Sequence, residues 1–259
     1  MDYETLTFEN RDGLVILTLN RPKVMNALNT QMRAELTHAV SVAGREARVV
    51  VLTGTGDRAF CSGQDLGDRV NAANINLERT LRDEYIPMLM AIVDCPVPVI
   101  AAVNGTAAGA GANLALVCDV VIAAERASFI QAFSRIGLIP DAGGTWMLPR
   151  TIGLQRAMGA ALFAEKISAA QAAEWGMIWE MVPDADFETQ WMARALHLAT
   201  GPTEAFKRIK QVMRASFGNG LEEQLLLEGQ MQGQCGKSRD FKEGVIAFLE
   251  KRPAVFEGR

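Results

Sequence analysis

The segment Val99-Ile100-Ala101-Ala102-Val103-Asn104-Gly105-Thr106-Ala107-Ala108-Gly109-Ala110-Gly111-Ala112-Asn113-Leu114 runs from an apolar strand through a Gly/Ala-rich stretch into a helix. Pro96-Val97-Pro98 opens the strand, Asn104-Gly105 ends it, and Gly109-Ala110-Gly111 begins the helix. The first N–H groups of a helix have no intrahelical partners. Small residues at that point let a ligand oxygen approach the main chain. The segment therefore suits an anion, a phosphate or a developing oxyanion; the plainer reading is close packing of helix on sheet. The spacing is not GxGxxG and no Gly-Lys-Ser/Thr follows, which argues against a dinucleotide fingerprint and a P-loop.

The flanking sequence alternates strand and helix. Residues 3–9 and 13–19 read as a hairpin turning at Asp12-Gly13. Asn29 is placed to cap a helix whose apolar stripe is Met32, Leu36, Ala39, Val40 and Ala43. Val49-Val50-Val51-Leu52 is a buried strand, and Val120-Val121-Ile122-Ala123-Ala124 another. Residues 78–93 form a helix with Leu81, Tyr85, Met88, Leu89 and Ile92 on one face. This order predicts an α/β fold with parallel pairing. From about residue 146 the pattern is nearly all helical, so residues 1–195 read as the α/β core and 196–259 as a helical C-terminal region. Apolar stripes around Phe206, Met213, Leu225, Phe241 and Phe248 there predict burial between subunits.

Two further segments bear on chemistry. Ile139-Pro140-Asp141-Ala142-Gly143-Gly144-Thr145 sets one carboxylate in a tight turn before a helix. Its plainer role is to cap that helix. An apolar surrounding of Phe133, Leu138 and Trp146 would raise the Asp141 pKa. Ala59-Phe60-Cys61-Ser62-Gly63-Gln64-Asp65-Leu66 places small residues before a helix-like stretch and would supply a second backbone donor, unless Asp65 is only a cap. Cys61 has no evident histidine partner, since His38 and His197 lie in helical patterns, which argues against a cysteine nucleophile.

The 259 residues are 49% hydrophobic and 22% charged, enough for a full core in one domain or in one domain plus an appendage. A net charge of −4 argues against nucleic acid as a partner. Cys61, Cys95, Cys118 and Cys235 show neither CxxC nor CxH spacing, so no metal site or disulfide framework is expected. No apolar run has membrane-spanning length, and Met1-Asp2-Tyr3-Glu4 lacks the features of a signal peptide. A cytoplasmic protein without a membrane partner is expected.

Taken in order, Arg21-Pro22-x-x-x-Asn26-Ala27-Leu28, the Ala59–Leu66 run, Asn104-Gly105 with Gly109-Ala110-Gly111, and Gly137-Leu138-Ile139-Pro140-Asp141-Ala142-Gly143-Gly144-Thr145 resemble the enoyl-CoA hydratase/isomerase (crotonase) superfamily. Glu174-Trp175-Gly176-Met177-Ile178 and Ser238-Arg239-Asp240-Phe241-Lys242-Glu243-Gly244 extend the likeness over nearly the whole chain. The resemblance implies a spiral of ββα turns and a helical C-terminal region that builds trimers, often paired into hexamers. It implies an acyl-CoA substrate, no metal, and no cofactor beyond the coenzyme A carried by the substrate. Two main-chain N–H groups, by position those of Ser62 and Ala110, would form the oxyanion hole. Lys23, Met25, Ala27, Gly63, Gln64, Asp65, Leu66, Gly109, Asn113 and Phe133 would border the CoA and acyl group, with Lys23 facing the phosphates.

Hydratases of the family carry two glutamates that activate water. Here Asn113 and Phe133 stand at those positions, and neither side chain transfers protons. Asp141 remains, at a turn where several isomerase and dehalogenase members place an aspartate. The runs Ala132–Asp141 and Glu174–Trp179 resemble the branch that isomerises ring-epoxidised phenylacetyl-CoA in phenylacetate catabolism. The expected activity is isomerisation of a CoA thioester, with Asp141 moving the proton. Two readings compete with it: an enoyl-CoA hydratase in which Asp141 or Glu84 orders the water, and a catalytically silent CoA-binding scaffold.

Overall fold

The computed structural model describes residues 2–68 and 76–258. Strands β1 (Leu6–Arg11) and β2 (Leu14–Leu19) form the expected antiparallel hairpin, with Asp12 and Gly13 both at positive φ as a two-residue turn requires. A short 3₁₀ turn, Pro22–Val24, precedes α1 (Thr30–Glu46). The Asn29 side chain caps α1 by accepting the Met32 N–H at 2.9 Å.

Three ββα turns follow. The first is β3 (Val49–Gly54), β4 (Ala59–Cys61), and a helical stretch made of α2 (Leu77–Thr80), a π turn (Leu81–Tyr85) and α3 (Ile86–Val93). The second is β5 (Val99–Val103), β6 (Thr106–Ala108) and α4 (Ala110–Leu116). The third is β7 (Val120–Ala124), β8 (Ser128–Ile130), a 3₁₀ turn (Ala132–Ile136) and α5 (Gly144–Phe163). Then come β9 (Ile167–Ser168), α6 (Ala169–Glu174), β10 (Glu180–Val182), α7 (Phe187–Thr200), α8 (Thr203–Ala215), α9 (Leu221–Cys235) and α10 (Arg239–Glu250).

The first strand of each turn enters a six-stranded sheet of order β1-β2-β3-β5-β7-β10, parallel from β2 onward. The second strand enters a four-stranded sheet of order β4-β6-β8-β9. The second sheet and the edge strand β10 depart from the sequence expectation. Strands of two or three residues carry no readable period. Thr106-Ala107-Ala108 reads as part of the helix start, and Ile167–Ser168 and Glu180–Val182 interrupt a region that reads as helical.

Leu17, Val50, Val51, Ile100, Ala101 and Ile122 are fully or almost fully buried, as central parallel strands covered on both faces must be. Helix α7 closes one face of the larger sheet with Phe187, Trp191, Ala195 and Ala199. Helix α8 is tied back by Asp119, which accepts Lys210 Nζ at 2.9 Å and Arg214 Nη2 at 2.7 Å. Beyond these ties, Met213, Leu225, Phe241 and Phe248 stay exposed on α8–α10. Among the described residues no helix is long and apolar enough to cross a membrane.

Candidate active site

The sheet ends at β4 and β6 bring two sequence segments to one pocket of about 280 Å³. The Ser62–Leu66 loop forms one wall, and the start of α4 with the Ala132–Asp141 segment forms the other. Leu66, Leu77, Leu81, Phe133, Ile136 and Leu138 make the lining mostly apolar.

The direction of the main-chain donors follows from peptide planarity. The Gly63 carbonyl accepts the Leu28 N–H at 2.8 Å, and the Asp65 N–H donates to the Leu28 carbonyl at 3.0 Å. In a trans peptide the C=O and N–H point in opposite directions. The Gln64 N–H shares its peptide with the Gly63 carbonyl, so it points away from Leu28, toward the pocket. No acceptor meets it among the described residues. The same reasoning applies at Ala110. The Gly109 carbonyl accepts the Ala112 and Asn113 N–H groups inside the helix, so the Ala110 N–H points outward and is also unclaimed among the described residues. Gly63 and Gly109 make this approach possible. A Cβ at Gly63 would lie 2.7 Å from the Ala108 carbonyl oxygen, and Gly109 holds φ 52°, ψ −127°, a region disfavoured for residues with a side chain.

The assignment of an oxyanion donor to Ser62 is therefore corrected. Its N–H is spent on the Met25 carbonyl at 3.0 Å, and its hydroxyl donates to the Val24 carbonyl at 3.3 Å. Two residues further on, the Gln64 N–H has no acceptor among the described residues.

Asp141 faces the same space, and its Oδ1 is buried without a hydrogen-bond partner. Helix α5 begins at Gly144 behind a Gly143 N-cap with no side-chain capping bond, so Asp141 is not its cap. Burial raises the carboxyl from its ordinary value of 3.8 to about 6. Phe133 and Leu138 line the pocket as expected; Trp146 does not, its ring packing instead under the Arg150 guanidinium and edge-on to Phe217.

Asn113 is also corrected. It is fully buried and contacts the protein, not the pocket. Its Nδ2 donates to the Asp141 carbonyl at 2.8 Å, and its Oδ1 accepts Gln131 Nε2 at 2.9 Å. Asn113 thus anchors the turn that carries the acid. Asp65 braces its own loop by accepting Arg21 Nη1 at 2.7 Å and the Gly67 N–H at 3.0 Å. Lys23 is exposed on the 3₁₀ turn, and Met25 follows it in left-handed conformation. Ala27 is buried, its carbonyl accepting Arg21 Nη1 at 2.7 Å. These three residues and Asp65 stand beside the pocket loop without lining the cavity, whereas Gly63, Gln64, Leu66 and Gly109 line it.

Two neighbours of the pocket loop escape sequence reasoning. Tyr85 lines the pocket and donates its hydroxyl to Gln64 Oε1 at 2.6 Å, and Arg33 donates to the same oxygen at 3.0 Å. Helical spacing marks Tyr85 only as core, and no local signal distinguishes Arg33. Glu84 is ion-paired with Arg33 and does not line the pocket. The Cys61 thiol is fully buried and pushed up to about 12 by that burial, which removes it as a nucleophile at neutral pH. Among the described residues no group of His, Cys, Asp and Glu is placed to hold a metal ion.

The family model described as enoyl-CoA hydratase/isomerase matches residues 9–259. The chain belongs to the enoyl-CoA hydratase/isomerase family. A relative from Rhodobacter capsulatus named probable enoyl-CoA hydratase is 62% identical over 100% of both chains. The 1,2-epoxyphenylacetyl-CoA isomerase of Escherichia coli is 47% identical over 95% of this chain and 96% of its own. Among solved members of the family, a putative enoyl-CoA hydratase/isomerase from Mycobacterium abscessus superposes with a TM-score of 0.92 at 38% identity, covering 98% of this chain and 100% of that one. The crotonase-type spiral of ββα turns with a helical C-terminal region is thus the fold of this chain.

Proposed function

We propose that the protein is a CoA-thioester isomerase working through an enolate. The observation that carries this reading is the single partnerless carboxylate oxygen of Asp141 in an apolar pocket that also receives two free main-chain donors. The thioester oxygen sits between the Gln64 and Ala110 N–H groups, which hold the negative charge as it develops. With a 3-enoyl thioester, the Asp141 carboxylate takes a proton from C2. The electrons spread over the dienolate, and the carboxylic acid returns the proton to C4. The product is the 2-enoyl thioester, and the carboxylate is regenerated. No water enters the balance, and no cofactor is needed beyond the coenzyme A of the substrate.

The E. coli relative and the Ala132–Asp141 run support 2-(1,2-epoxy-1,2-dihydrophenyl)acetyl-CoA as the substrate, with an oxepin enoyl-CoA as product. An apolar lining that includes Phe133 and Tyr85 suits a ring-bearing acyl group. The Lys23–Ala27 turn and the Ser62–Leu66 loop border the adenine and pantetheine, and the exposed apolar faces of α8–α10 close a trimer or hexamer.

The R. capsulatus relative favours hydratase activity as the second reading. In that case Asp141 must order a water by itself, because Phe133 and Asn113 lack carboxylates and Glu84 is held by Arg33. Absorbance assays with a 3-enoyl-CoA and a 2-enoyl-CoA separate the two. Isomerisation is expected to be the faster reaction and to be lost in Asp141→Asn. Dominant hydration would overturn the isomerase reading, and an absence of both activities would leave the silent scaffold.

A further inference from the structure

Arg33 is an unusual core residue. Its side chain is completely buried, and a guanidinium is tolerated there only when its donors are met. All five are met. Nε donates to Glu84 at 2.9 Å, and Nη1 donates to the Leu28 carbonyl at 2.7 Å and to Gln64 Oε1 at 3.0 Å. Nη2 donates to Thr30 Oγ1 at 3.1 Å and to Glu84. The guanidinium also lies 4.9 Å from the centre of the Tyr85 ring, and the Tyr85 hydroxyl donates to Gln64 Oε1 at 2.6 Å. The amide oxygen of Gln64 thus takes two buried donors at once.

Leu28 grips the same loop through its main chain, accepting the Asp65 N–H and donating to the Gly63 carbonyl. Residue 64 is therefore held on both flanking peptides and through its own side chain. The Gln64 main-chain N–H itself is left without an acceptor among the described residues. A core that needed only to fill space would take an apolar side chain here. A charged group with every donor matched fixes position as well as volume.

We propose that Arg33 and Tyr85 are positioning residues of the oxyanion hole, pinning the Gln64 side chain so that its main-chain N–H is aimed at the thioester oxygen. This rests on the enolate reading above, in which that N–H is one of the two donors. Neither residue touches the reacting atoms in this role. Each acts through Gln64.

The test uses 4-(dimethylamino)cinnamoyl-CoA, whose absorption band moves to longer wavelength when its carbonyl oxygen is polarised by hydrogen bonds. The probe is bound to the wild-type protein, to Tyr85→Phe, to Gln64→Leu and to the double variant, with thermal unfolding confirming that each is folded. Tyr85→Phe keeps the ring and removes only the hydroxyl, so it remains informative if Gln64→Leu does not fold. The wild-type band is expected to shift on binding, and the shift is expected to shrink in both single variants. Isomerase kcat should fall about tenfold with KM changed by less than about twofold, the signature of a donor misplaced in the transition state. The double variant should be no worse than Gln64→Leu alone, because both changes break one link. Additive losses in the double variant would mean that Tyr85 acts on the substrate directly, and would overturn the proposal. A wild-type shift that persists unchanged in Tyr85→Phe and Gln64→Leu overturns the brace and leaves the enolate reading standing. A wild-type band that does not move on binding overturns the oxyanion hole and the brace with it. Asp141→Asn is the separating control, since it should lose isomerisation and keep the shift.

Discussion

Replacing Asp141 with asparagine should make the protein less active and more stable, and the gain in stability should depend on pH. The carboxyl lies in an apolar pocket with one oxygen unpartnered, and burial raises it from 3.8 to about 6. The folded protein therefore binds this proton more tightly than the unfolded chain does. Ionisation costs the fold nothing below the ordinary value. The cost grows between 3.8 and about 6 and is fully present above that. A shift of this size corresponds to at most about 3 kcal/mol, and water at the pocket mouth screens it to about 1 kcal/mol. Asparagine has the same shape and no charge to bury. At about pH 8 the variant should melt roughly 2–4 °C above the wild type, and at about pH 4 the two should nearly coincide. Thermal unfolding of the ligand-free proteins at both pH values measures the gap. The isomerase rate should drop roughly 10²–10⁴-fold in the same variant. In the wild type kcat/KM should rise with pH through about 6, as the base ionises in the free enzyme. An Asn variant that is less stable than wild type at about pH 8 would show that the carboxylate is solvated or paired, and the reasoning would fail.

Three other outcomes are expected. Asn113→Ala removes the bond to the Asp141 carbonyl and leaves Gln131 Nε2 without its acceptor; it should cost about 2 kcal/mol in denaturant unfolding and lower kcat more than it raises KM. Asp119→Ala leaves the Lys210 ammonium, 7% exposed, beside Arg214 with only the Ile92 and Val97 carbonyls as acceptors and no carboxylate, and should destabilise by about 3 kcal/mol, read as a lower unfolding midpoint. Light scattering at micromolar protein should give a trimeric or hexameric mass, and Phe248→Glu, on the exposed face of α10, should reduce it; a monomeric wild type would contradict the assembly proposal.

Sequence alone carried the parts of this protein whose signals are local. Asp12-Gly13 has the chemistry of a two-residue turn, and Asn29 bonds the N–H three residues ahead. The apolar runs at Val49, Val99 and Val120 can only be buried strands, and each is one. The order of the Gly- and Asp-bearing segments carried the family, and the loss of carboxylates at Asn113 and Phe133 isolated Asp141. Contacts between residues distant in sequence decided the rest. The Ser62 N–H looks as available as that of Gln64 until Met25 is seen to claim it. Asn113 reads as a pocket residue until its amide is seen under the Asp141 turn, 28 residues away. The four-stranded sheet is built from strands of two or three residues that have no period of their own. Arg33 carries no local signal and Tyr85 reads only as core until the fold brings both to the Gln64 side chain. Which N–H of a loop stays free depends on which carbonyl the fold sets beside it, and that is a property of three-dimensional packing.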